Sequence, residues 1–98
     1  MPSPFTRVRT VVAHDELHRE GESLVLLDGQ VQRVSALGTV VRESARVALT
    51  VAELAEVLEE EFGPPPEGET LVTTLEVVAT LLGVGLLEPV QEEGTTGA

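Results

Sequence analysis

The sequence predicts an α+β domain in which a three-stranded antiparallel β-sheet is followed by three α-helices. Three observations carry that prediction. Apolar residues tend to alternate up to Val34 and recur at every third or fourth position after Ser35. Turn signals at Glu20-Gly21 and Asp28-Gly29 punctuate the first part of the chain. Gly63 with Pro64, Pro65 and Pro66, and then Gly83 with Gly85, punctuate the second. A chain of 98 residues makes one domain with a core large enough to fold without a metal or disulfides.

Residues 1–10 read as a flexible lead-in, 11–90 as the folded unit and 91–98 as a disordered acidic tail. Residues 8–13 have the β-branched content of a strand but poor alternation. Residues 16–27 read better, as a hairpin turning at Glu20-Gly21-Glu22. Leu24 and Leu26 point one way while Val25 and Leu27 point the other, so this strand is apolar on both faces and belongs at the centre. Asp28-Gly29 then turns the chain into residues 30–34, whose mixed pattern suits an edge strand. Such an edge exposes unpaired N–H and C=O groups, a template for another strand.

Ser35 is the expected N-cap of a first helix to about Arg46, with Leu37, Val40, Val41 and Ala45 inward. Thr50-Val51-Ala52-Glu53 has the form of a capping box. The helix it opens buries Val51, Leu54, Ala55, Leu58 and Phe62, shows Glu56, Glu59 and Glu60 to water, and stops at Gly63. The third helix begins near Glu69. At about 100° per residue, Leu71, Leu75, Val78 and Leu82 fall at the centre of its apolar arc. Val72 and Ala79 extend the arc on one edge, and Val77, Leu81 and Thr74 on the other. Only Glu69, Thr73, Glu76 and Thr80 form a polar strip, so part of the arc is a candidate groove for a partner.

Charge limits the partners. The net charge is −11, all six arginines lie before residue 47, and eleven of the seventeen acids lie after it. The second half therefore repels polyanions. There is no cysteine, no stretch of transmembrane length and no signal-peptide pattern, so a cytoplasmic protein is expected.

In the order and spacing of Leu24-Val25-Leu26-Leu27-Asp28-Gly29, Val34-Ser35 with Leu37-Gly38, Leu49-Thr50-Val51-Ala52-Glu53-Leu54 and Gly85-Leu86-Leu87, the chain resembles the PqqD-like domains. These are the recognition elements of ribosomal peptide biosynthesis, and the resemblance covers roughly residues 11–90. It implies a winged-helix-like body and a binding module without chemistry of its own. It also implies that the leader of a precursor peptide adds as a strand beside the third strand and packs against the third helix. Carried over by position, the peptide-binding residues are Gln30, Val31, Gln32, Arg33 and Val34 on the strand, with Val72, Leu75, Glu76 and Ala79 on the helix. The implied partners are that leader peptide and a modifying enzyme or leader peptidase. Arg33, the strand's only charge, could meet an acidic peptide residue or stand as an ordinary exposed arginine.

Other classes fit less well. A winged helix that reads DNA needs cations on its recognition helix, and none follows Arg46, so no nucleic acid is expected. His14-Asp15-Glu16-Leu17-His18 has the spacing of a zinc-hydrolase motif, but Asp15 stands where the catalytic Glu would, and the segment reads as a strand. Gly83-Val84-Gly85 follows a helix and is too short for a nucleotide fingerprint. No enzyme activity, cofactor, metal or membrane attachment is therefore expected.

Overall fold

The structure is a computed structural model that describes residues 2–66 and 68–91. The elements are β1 (Arg7–Thr10), β2 (Asp15–Arg19), β3 (Glu22–Leu27), β4 (Gln30–Val34), α1 (Ala36–Ser44), β5 (Leu49–Thr50), α2 (Val51–Phe62), α3 (Thr70–Gly83) and β6 (Leu87–Pro89). They form a small α+β domain with two antiparallel sheets, ordered β2-β3-β4 and β5-β1-β6. The first is the expected three-stranded sheet with β3 at its centre.

The second sheet departs from the expected run of strands followed by helices. Residues 7–10, placed in the flexible lead-in by sequence, form β1, and Val8 there is fully buried. β1 pairs with β5 and with β6, which are two and three residues long. Further bonds tie it down: the amide of Thr10 donates to Ala45 O (2.9 Å), that of Val51 to Thr6 O (3.0 Å) and that of Val90 to Arg7 O (2.8 Å). The acidic tail expected at 91–98 lies outside the described residues from 92 onward.

Local chemistry sets the joints. Asp28 and Gly29 both have positive φ (54° and 77°), the conformation of a two-residue hairpin turn whose twist matches its strands. Glu20 and Gly21 repeat it (54° and 86°). The Ser35 hydroxyl accepts from the Gly38 amide at 3.1 Å and caps α1. At α2 the Thr50 hydroxyl accepts from the Glu53 amide (3.1 Å) while the Glu53 carboxylate accepts from the Thr50 amide (2.8 Å). That backbone bond holds the Glu53 carboxyl below the usual carboxylate range.

The core joins both sheets to the helices through Val8, Val25, Val34, Val41, Leu54, Val78 and Leu86. Three expectations shift here. The outward face of the first sheet keeps Leu17, Leu24, Leu26 and Val31 exposed, so β3 is central without being buried on both sides. Phe62, expected inside, is 48% exposed. The inward face of α3 is centred on Thr74, Val78 and Leu81, with Leu71, Leu75 and Leu82 packed beside them. Thr74 tolerates full burial because its hydroxyl donates to the Thr70 carbonyl (2.7 Å).

Arg42 is the one cation of α1 that turns inward. Its side chain is 3% exposed and reaches three segments. It donates to Glu16 Oε1 on β2 (2.8 Å), to Val11 O after β1 (2.7 Å) and to Leu86 O before β6 (3.4 Å). Its own carbonyl accepts from the Thr10 hydroxyl. One guanidinium fork therefore ties the two sheets across α1.

Candidate functional site

β4 is an edge strand, and its register determines which backbone groups are open. A two-residue turn at Asp28-Gly29 closes on a doubly hydrogen-bonded pair, here Leu27 and Gln30. Alternation along the ladder then assigns Gln32 and Val34 to bonds with Val25 and Ser23. The N–H and C=O groups of Val31 and Arg33 consequently point out from the sheet's edge, and among the described residues neither makes a further backbone bond. The same alternation fits the first hairpin, where Arg19 pairs with Glu22 and leaves Ser23 and Val25 to β4.

Side chains follow the same period. Val31 and Arg33 share the outer face with Leu24 and Leu26, whereas Gln30, Gln32 and Val34 share the inner face with Val25. Val31 is 64% exposed. Arg33 lies against Glu22 (Nη2 to Oε1, 3.1 Å) and is itself mostly solvated, so the pair is a surface interaction.

The α3 residues carried over from sequence lie elsewhere. Val72 and Glu76 are exposed, and Leu75 and Ala79 are half-buried, so this is the less covered edge of the helix. The end of β4 meets α3 at a different point. A methyl group on Gly38 would sit 2.7 Å from Val34 Cγ1 and 3.7 Å from Leu81 Cδ1, so β4 and α3 converge over this glycine. Leu37, Thr73 and Thr74 line one cavity beside it. At about 100° per residue, Val72 lies half a turn round the helix from Leu81. Val34 of β4 and Leu81 of α3 thus meet over Gly38, and helical geometry turns Val72 to the opposite side of α3. The sequence reading had Val77 and Leu81 on the second edge of the arc and Thr73 in the polar strip, and the carry-over by position selected Val72, Leu75, Glu76 and Ala79.

The remaining polar groups are dispersed. His14 precedes β2, and His18 lies on it, 3.6 Å from the Glu16 carboxylate that Arg42 engages. Among the described residues no group of three or more His, Cys, Asp or Glu side chains is placed to share a metal ion. Among them, too, no helix is long and apolar enough to cross a membrane. Comparisons with protein-family models, curated proteins and solved structures find no match to this chain.

Proposed function

We propose that this domain binds the leader segment of a ribosomally synthesised precursor peptide and presents it to a modifying enzyme or leader peptidase. The peptide adds as a fourth strand to β4. The observation that supports this most directly is the open ladder of Val31 and Arg33 on the edge strand β4. Main-chain pairing supplies affinity without regard to sequence, and alternate side chains supply the discrimination. Peptide residues level with Val31 and Arg33 face outward beside Leu24 and Leu26. Those level with Gln32 face inward, toward Leu37 and the Val77 edge of α3. The resemblance to the PqqD-like domains, with its winged-helix-like arrangement and cytoplasmic setting, belongs to the same proposal. In this reading the domain binds without chemistry of its own and needs no cofactor.

Calorimetric titration with a synthetic leader peptide of a ribosomal precursor tests it. Val31→Pro removes an outward N–H, while Gln30 before it is already extended, as a residue preceding proline must be. Binding should weaken at least tenfold in Val31→Pro with the far-UV circular dichroism unchanged. Undiminished binding in the folded variant would overturn the strand-addition reading.

A further inference from the structure

Where α2 ends and α3 begins, Leu37, Leu58, Phe62, Pro64, Pro66 and Thr73 help line a cavity of about 200 Å³. Gly63, at φ 77°, turns the chain off α2, and the prolines that follow form a wall with no N–H groups to solvate. Two hydroxyls near this wall are committed elsewhere: Thr70 donates to Glu59 Oε1 (2.7 Å) and Thr74 to Thr70 O (2.7 Å). The lining is therefore largely apolar, with the half-exposed Phe62 at its rim. A cavity of about 150 Å³ lined by aliphatic and aromatic side chains holds one benzene ring. This one has room for a single aromatic side chain, and Phe62 offers it an aromatic partner.

We propose that this cavity binds one aromatic ring, supplied by a side chain of the peptide that pairs with β4. Leu37 lies just beyond the end of β4, and the neighbouring Gly38 lies under Val34. A chain that follows the open edge past Val34 reaches the cavity over these residues. That placement rests on the strand-addition reading; the ring site itself does not.

The chain contains no Trp and no Tyr, so the emission of added indole reports the probe alone. Titrating the protein into indole should give a saturable blue shift, half complete at about 1 mM protein, as befits a fragment that fills one small pocket. Thr73→Phe places a ring in the cavity and should weaken the shift at least tenfold. Phe62→Ala, at the exposed rim, should weaken it as well. Val31→Pro should leave it unchanged. Absence of a saturable shift overturns the proposal, as does an undiminished shift in Thr73→Phe and Phe62→Ala when circular dichroism shows both folded. Loss of the shift in folded Val31→Pro also overturns it, because the ring would then sit on the strand edge. Indole has no peptide group, so its binding supports the cavity even where a leader peptide fails to pair with β4.

Discussion

Replacing Arg42 by Ala should be among the most damaging single changes in this domain. The side chain is 3% exposed and forks to Glu16 Oε1 and Val11 O, with a longer bond to Leu86 O. Leu86 O would keep a partner, because it also accepts from the Val11 amide at 3.1 Å. The Glu16 carboxylate, only 25% exposed, would lose its cation, and the Val11 carbonyl would lose its donor. Breaking a buried ion pair from one side costs about 3–5 kcal/mol. For a domain of this size that is a fall of at least about 12 °C in melting temperature, from a total stability of about 5–15 kcal/mol. Urea melts followed by circular dichroism give the value directly. Arg42→Lys should recover only part of it, since an ammonium cannot reproduce the planar fork. The double variant Arg42→Met with Glu16→Leu should regain most of the loss, because removing both charges removes the uncompensated one. A loss under about 1 kcal/mol for Arg42→Ala, the range of a solvated pair, would refute the reasoning.

Gly38→Ala should destabilise the domain. Helix propensity favours Ala by about 1 kcal/mol, but the new methyl would meet the stiff Val34 side chain at 2.7 Å, and overpacking of this kind costs about 1–3 kcal/mol. Adding Val34→Ala should relieve that contact, and thermal melts of the two variants check it. The Glu53 carboxyl is held low by the Thr50 amide, so its contribution to stability is present above the ordinary carboxylate range and is lost as pH falls through the folded value. Melting curves of the parent and Glu53→Ala should accordingly differ at neutral pH and converge in acid. On α3, Val72→Asp, at a position 50% exposed, should stay within about 0.5 kcal/mol of the parent. Val77→Asp, which packs on the core, should cost at least about 2 kcal/mol in the same melts.

Local chemistry was the legible part of this fold. Ser35, Thr50 with Glu53, Gly63 and Asp28-Gly29 each act within a few residues of themselves, and each sits where its type requires. The edge position of β4 followed from the same turn and from its mixed pattern. The second sheet was not legible, because β5 and β6 are too short to show alternation and their partner β1 is far away in sequence. The roll of α3 was hidden by Thr74, a polar residue that reaches the core face by bonding its own helix backbone. The carry-over by position selected Val72, Leu75, Glu76 and Ala79 as the candidate lining and left Val77, on the other edge of the same arc, nearer the core. Arg42 carried one overlooked signal: it follows Val41 and precedes Ala45 on the inward side of α1, where a cation needs buried partners.

The central claim is that a peptide pairs with the open ladder of β4, and amide hydrogen exchange reads that ladder residue by residue. In the free domain, the amides of Val31 and Arg33 should exchange rapidly while those of Gln32 and Val34 are protected by β3. Saturation with the leader peptide should slow Val31 and Arg33 at least tenfold and leave Gln32 and Val34 little changed. Bound peptide with Val31 and Arg33 still exchanging as in the free domain would contradict strand addition at this edge.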